Sequence, residues 1–235
     1  MYTRLRSIAF LTIVALVATS GMVAAQDPPA TPMPSLDICG DFMAAATPEV
    51  ATTSVAGDAS FDLAFVDMVI TSHQNSIIVL LIAGDRTEHD ELASFVAQQL
   101  TDRRATIESL LAWRGENAPD AAWVDADQAM AIFDQASAEN PGRGGVAGAR
   151  EVATDPHIEE MCTTTDVSFD LILIDHMIPR IAGELLLAES AATMATDPDL
   201  AAIANAMIGP MQEQLDALYA WRTLWYPDAG ELHSH

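Results

Sequence analysis

The feature that most constrains the fold is an internal repeat. The segment that begins at Phe61 aligns without a gap to the segment that begins at Phe169, so equivalent positions lie 108 residues apart. A gapless offset over about 60 residues indicates an internal duplication. The identical pairs include Asp62 and Asp170, Leu63 and Leu171, Asp67 and Asp175, Ile70 and Ile178, Leu92 and Leu200, Ala93 and Ala201, Leu110 and Leu218, Trp113 and Trp221, and Arg114 and Arg222.

Each copy is predicted to be a helical hairpin, the first over residues 60–121 and the second over residues 168–229. Apolar residues recur three or four positions apart in both copies, which is typical of helices with one buried face. One hairpin has too small a core to fold alone. The sequence therefore predicts an all-α protein in which two duplicated helical hairpins form a four-helix bundle.

Capping residues set the predicted helix limits. Ser60 and Ser168 are suitable N-caps for the first helix of each hairpin. Thr87 and Asp197 are suitable N-caps for the second helix, and Pro198 follows Asp197 at the favoured first helical position. The predicted helices cover residues 61–83, 88–114, 169–192 and 198–225.

The remaining segments flank or join the two copies. Residues 26–59 are rich in Pro, Thr and Ala and are predicted to be extended. Residues 122–167 form a linker, with a short amphipathic helix predicted over 127–137 and a glycine-rich loop over 140–148. The loop superficially resembles a nucleotide-binding loop, but no strand precedes it, which favours a flexible connection. Residues 230–235 form a C-terminal tail.

Residues 1–25 have the pattern of a signal peptide. Arg4 and Arg6 precede an apolar run of about ten residues, and Val23-Ala24-Ala25 offers a small-residue cleavage site. The run is shorter than the roughly 20 apolar residues of a membrane-spanning helix. We therefore expect an exported protein, secreted or located in the periplasm or cell envelope, with no membrane span after signal cleavage.

The two cysteines are predicted to form a disulfide. Cys39 and Cys162 each lie ahead of one repeat, and an even number of cysteines in an exported chain favours pairing. The alternative is a metal site formed by the two thiolates.

The chain carries 34 acidic and 10 basic residues, and every basic residue is arginine. Such a surface repels phosphate backbones and anionic lipid, so we expect no nucleic-acid partner. Attraction for cations is the functional interpretation of this charge. The alternative interpretation is that the acidic residues form a solvated surface that binds no ligand.

One stretch in each copy resembles the motif of a known family. Residues 62–74 read Asp-x-x-Phe-x-x-Met-x-Ile-x-x-His-Gln, and residues 170–179 read Asp-x-x-Leu-x-x-His-Met-Ile-Pro. Both are similar to domain of unknown function 305 (DUF305), and the match extends over residues 61–229. The resemblance implies a ferritin-like bundle. It also implies, as in some exported members, that copper or silver is bound through Met and His.

The chain departs from the family motif, which contains a pair of adjacent histidines. His73 is the one histidine kept at the four equivalent positions. Ser72, Arg180 and Ile181 occupy the other three. A guanidinium at Arg180 would repel a bound cation, and we expect it to pair with Glu184 one helical turn later.

A soft Cu(I) or Ag(I) ion could still be held by thioether and imidazole groups, in a rearranged site. Filling irregular core gaps is the alternative role of the methionines. The candidate metal ligands are Met68, His73, His176, Met177, Met207 and Met211.

Asp67 and Asp175 lie within apolar helices, where a carboxylate needs a partner. Arg114 and Arg222 are at equivalent positions in the two copies, and we expect structural ion pairs between these aspartates and arginines.

The patterns favour an exported, non-enzymatic protein that binds or sequesters copper or silver. The alternative is a metal-free scaffold or interaction module that kept the fold and lost the site. An oxidising di-iron enzyme is disfavoured because the chain contains no Glu-x-x-His pair. No nucleophile with an adjacent base is present, so we expect no enzymatic activity. The protein partner, if there is one, is not defined by the sequence.

Overall fold

The computed structural model describes Cys39 and residues 59–139, 158–165 and 167–230, all of which belong to one compact unit. These residues form helices and no strands, which confirms the all-α prediction. The predicted signal peptide, the glycine-rich loop and the last five residues of the tail lie outside the described residues. The helices are α1 (Phe61–Ala83), α2 (Asp90–Asn117), α3 (Ala126–Glu139), α4 (Ile158–Thr163), α5 (Phe169–Met194) and α6 (Pro198–Trp225).

The core is centred on α1 and α5. Helix α1 packs along α2, α5 packs along α6, and α1 also contacts α3 and α5. Phe65 and Ile70 of α1, with Leu173 and Ile174 of α5, are fully buried. By contrast, α2 and α6 each bury one narrow face. The apolar inner helices therefore provide the core, and the outer helices cover it. The duplication itself remains a prediction from the sequence.

Helix α1 is long and apolar enough to cross a membrane, by length and composition alone. Two thirds of its apolar window is buried inside the protein (67%), as in the core helix of a soluble protein. It also buries Asp62, Asp67 and His73. Asp62 and Asp67 accept hydrogen bonds from other parts of the chain.

The second helix of the first copy begins later than the Thr87 N-cap predicts. Helix α2 starts at Asp90, with His89 as its N-cap. The carboxylate of Asp170 accepts hydrogen bonds from the backbone N–H groups of Glu88 and His89, at 2.9 and 3.0 Å. The N-cap prediction at Thr87 was therefore wrong: the Asp170 carboxylate holds residues 88 and 89 in the turn that precedes the helix.

The other helix starts follow the sequence more closely. The Ser60 hydroxyl accepts a bond from Leu63 N–H, and the Asp197 carboxylate caps α6. Ser168 occupies the N-cap position of α5 without a side-chain capping bond. Its hydroxyl is instead 2.7 Å from that of Tyr226.

One arginine–aspartate pair joins the two helices of each copy. Arg114 Nε is 2.7 Å from Asp67 Oδ1, and Arg222 Nε is 2.6 Å from Asp175 Oδ1. The first pair is more enclosed, since Asp67 is 0% exposed and Asp175 is 23% exposed. Asp67 also accepts a bond from Val124 N–H, which fixes the chain after α2.

Outside the repeats, α3 packs on α1 through Met130 and Phe133. Its range exceeds the predicted short helix of 127–137 by one or two residues at each end. The short helix α4 was not predicted. It carries Cys162, which forms a disulfide with Cys39.

Candidate metal site

A cavity of about 390 Å³ lies between the two outer helices, α2 and α6, and its floor is formed by one residue each of α1 and α5. Small and polar residues form most of its walls, and their side chains do not fill the space between the outer helices. The lining residues are His73, Gln99, Asp102, Arg103, Ala105, Thr106, Ser109, Glu184, Ile203, Ala206, Met207, Pro210, Met211 and Gln214.

The cavity brings together three of the six predicted ligands. His73 lies on its floor, and Met207 and Met211 line the α6 wall. The two methionines are four residues apart, so they lie on the same face of the helix. Both are almost buried, with 9% and 7% of their surface exposed.

The other three candidates do not line this cavity. Met68 and Met177 are packed in the apolar core, with 3% and 0% exposure. His176 is half-buried on α5 and is absent from the lining. For Met68 and Met177, core packing is the role that their surroundings support.

His73 is buried without a hydrogen bond to either ring nitrogen among the described residues. Burial lowers the pKa of the imidazole to about 4; Glu184 and the backbone of Arg103 oppose this change, and the charges of Arg103 and Arg180 add to it. The ring is therefore neutral at pH 7 and keeps a lone pair. A neutral imidazole with a free lone pair is a metal ligand.

Glu184 is the centre of a buried polar cluster on the same floor. Its Oε1 accepts hydrogen bonds from the Ser72 hydroxyl at 2.7 Å and from Arg103 at 2.8 Å. Its Oε2 has no hydrogen-bond partner in the described part of the chain and lies 3.8 Å from His73 Nε2. Arg180 donates to the Ser72 carbonyl and to the Ser76 hydroxyl.

The carboxyl of Glu184 stays ionised despite its burial. Burial alone would raise its pKa, but the charge of Arg103, the electrostatic interaction with His73 and the hydrogen bond of Arg103 together outweigh this effect, and the pKa falls to about 2. Arg180 acts in the same direction. The floor therefore carries one negative and two positive charges beside a neutral histidine.

These residues occupy equivalent positions of the two copies, and in every pair the residue types differ. The two copies therefore contribute unlike groups, and the site is not symmetric. The pairs are Ser72 with Arg180, His73 with Ile181, Ser76 with Glu184, Gln99 with Met207, and Arg103 with Met211.

The donor set fits a soft monovalent ion. Two thioethers and a neutral imidazole are the ligands that Cu(I) and Ag(I) prefer. Among the described residues, no three His, Cys, Asp or Glu side chains lie close enough to hold a metal ion together. A site for a hard ion, which needs several oxygen or nitrogen ligands, is therefore not formed in this part of the chain.

Arg103 and Gln99 are site residues that the sequence analysis missed. Both lie at buried positions of α2, in phase with Leu92, Val96 and Leu110. This spacing was visible in the sequence, because polar residues at core positions of an amphipathic helix need a buried partner. Glu184 was noticed only as a partner of Arg180.

The arrangement of α1, α2, α5 and α6 can be compared with known proteins. The sequence profile described as "Domain of unknown function (DUF305)" matches residues 62–222. The chain belongs to the DUF305 family. This result confirms the resemblance inferred from the motif. No curated protein matches the chain.

Solved structures of CopM share the fold. CopM in the Cu(I)-bound form is similar with a TM-score of 0.54 and 18% identity, over 70% of this chain and 97% of that chain. The Cu(II)-bound form gives 0.54 and 21% over the same shares. The Ag-bound form, obtained by soaking, gives 0.52 and 18% over 70% of this chain and 96% of that chain.

Proposed function

We propose that this protein is an exported, non-enzymatic protein that binds Cu(I) or Ag(I) in the cavity between α2 and α6. His73 would supply an imidazole nitrogen, and Met207 and Met211 would supply thioether sulfurs. The observation that carries the proposal is the buried, neutral His73, whose ring nitrogens have no hydrogen-bond partner in the described residues and which shares a cavity with two methionines.

Further support comes from the family and from the export pattern. CopM, whose fold is similar, has been solved with copper and with silver bound. The signal-peptide pattern of residues 1–25 favours a mature chain outside the cytoplasm, where a copper-binding protein would sequester the ion.

The second candidate is a metal-free scaffold, favoured by a different observation. Arg103 and Arg180 occupy the cluster around Glu184, and their hydrogen bonds satisfy much of the floor without any ion. If this candidate is correct, the cavity holds only water.

A Cu(I) titration of the mature chain under a competing chelator separates the two candidates. His233 and His235 should first be replaced by alanine, because the tail can bind metal by itself. We expect one ion per chain, with affinity reduced roughly 100-fold by Met207→Leu combined with Met211→Leu.

The matched control is Met68→Leu combined with Met177→Leu, which changes two methionines that do not line the cavity. This variant should keep the affinity of the wild type. Equal losses in both double variants, or no binding tighter than micromolar in the wild type, would favour the scaffold.

A further inference from the structure

The cavity is larger than a single ion and its protein ligands require. Its volume of about 390 Å³ equals that of roughly 13 water molecules at ~30 Å³ each. His73, Met207 and Met211 offer three donor atoms, which leaves one position of a tetrahedral ion open. The cavity therefore has room for a small molecule beside the ion.

The charges around the floor leave a bound cation without a full counter-charge. Glu184 attracts a cation at His73, whereas the charges of Arg103 and Arg180 act against it. The three candidate donors are neutral, so a monovalent ion leaves these groups with two positive charges in excess. The acidic Asp102 also lines the cavity, but it is exposed and screened by water. Excess charge is costly where water is excluded, and a negatively charged ligand on the ion would reduce this cost.

Arg103 offers such a ligand a hydrogen-bond donor. Its side chain lines the cavity, is 3% exposed, and donates to Glu184 Oε1 at 2.8 Å. Its Nε has no hydrogen-bond partner among the described residues, and a buried N–H group without an acceptor is unfavourable. Arg180 is placed differently, since it donates to Ser72 and Ser76 and is not among the lining residues. The floor therefore presents the Nε–H group of Arg103 to an anion in the cavity.

The chemistry of the ion restricts the kind of anion. Cu(I) and Ag(I) prefer soft ligands, which favours a halide or a thiolate over a hard oxyanion such as nitrate. Arg103 and Met211 occupy equivalent positions of the two copies and line the same cavity. One copy thus contributes a thioether that suits the ion, and the other contributes a guanidinium that suits an anion.

We propose that the cavity binds Cu(I) or Ag(I) together with one soft monovalent anion, a halide or a thiolate, and that Arg103 Nε–H donates to this anion. This inference rests on the proposed copper or silver function.

The test measures anion binding to the mature chain with His233 and His235 replaced by alanine. Equilibrium dialysis of the Cu(I)-loaded protein against bromide should give one bound bromide per copper. X-ray absorption at the bromine edge should then show copper as a direct neighbour. Replacing bromide with 2-mercaptoethanol tests the thiolate, which mass spectrometry detects as an adduct of the loaded protein. Binding of either anion supports the proposal, and the two arms identify its source.

The matched variants compare two neighbouring arginines. Arg103→Gln removes the buried donor and should weaken bromide binding to the loaded protein by ~10- to 100-fold. Arg104→Gln changes an exposed arginine and should leave bromide binding unchanged. A folded Arg103→Gln protein that binds bromide as tightly as the wild type would overturn the role of Arg103.

The wild-type measurement stands even if Arg103→Gln does not fold. Cu(I) binding with neither bromide nor thiolate attached would overturn the inference and leave the proposed function intact. Equal bromide binding by the copper-free protein would also overturn it, because the anion would then not be a ligand of the ion. A wild type that binds no Cu(I) would refute the proposed function itself, and the inference with it.

Discussion

Asp62 and Asp170 make reciprocal contacts between the two copies of the repeat. Asp62, at the start of α1, accepts hydrogen bonds from the backbone N–H groups of Thr196 and Asp197, just before α6, both at 2.9 Å. Asp170, at the start of α5, accepts the equivalent bonds from Glu88 and His89, just before α2. Each carboxylate therefore holds the inter-helix turn of the other copy.

Removing either carboxylate should destabilise the whole fold. Asp62→Ala or Asp170→Ala removes a buried carboxylate that accepts hydrogen bonds from two partly buried N–H groups, and we expect each to lower the free energy of unfolding by ~3 kcal/mol. Asp199→Ala, an exposed acidic residue in the first turn of α6, should cost less than ~1 kcal/mol. Urea denaturation, monitored by circular dichroism, measures the stability of all three variants. Equal losses in the three would show that the hydrogen bonds between the copies do not stabilise the fold.

The two arginine–aspartate pairs should differ in their contribution to stability. Arg114→Gln leaves Asp67 as a fully buried, unpaired carboxylate, and we expect a loss of ~3–5 kcal/mol. Arg222→Gln leaves Asp175 partly exposed to water, and we expect ~1 kcal/mol. The comparison of the two unfolding free energies is the measurement. A larger loss for Arg222→Gln would contradict the burial argument.

His73 should make stability depend on pH between about 4 and 6.5. The folded protein holds the pKa near 4, below the ordinary value of 6.5, so the unfolded chain binds the proton first. Acidification through this window therefore favours unfolding, by up to ~1.4 kcal/mol per pH unit.

The matching variant is His73→Gln, which stays neutral at every pH. Between pH 7 and pH 4, the wild type should lose about 3 kcal/mol more unfolding free energy than the variant does. Denaturant titrations at several pH values, without added metal, measure it. A constant difference across this range would mean that the imidazole is not held neutral by the fold.

The Cys39–Cys162 disulfide should contribute strongly to stability, because it closes a long segment of chain. The two cysteines are 123 residues apart in the sequence. On the chain-entropy account, replacing both with serine should cost ~4–5 kcal/mol. Unfolding of the reduced wild type should match that of the double variant. Identical stability of the oxidised and reduced proteins would contradict the expectation.

The sequence by itself determined where the main helices lie and which aspartate pairs with which arginine. Periodicity and the Ser60 and Asp197 caps place α1 and α6 within a few residues, because these signals are local. The pairing of Asp67 with Arg114 was also foreseeable, since an ionised group in an apolar helix requires a partner.

Tertiary structure decided which carboxylate holds the turn before α2 and which residues form the candidate site. The turn before α2 is held by Asp170, which is far away in the sequence. The cavity depends on which faces of α2 and α6 meet His73 and Glu184. Met207 and Met211 face the cavity, whereas Met68 and Met177, equally plausible by spacing, lie in the core. Spacing along one helix fixes a shared face, but only packing between helices decides whether that face meets a cavity or apolar side chains.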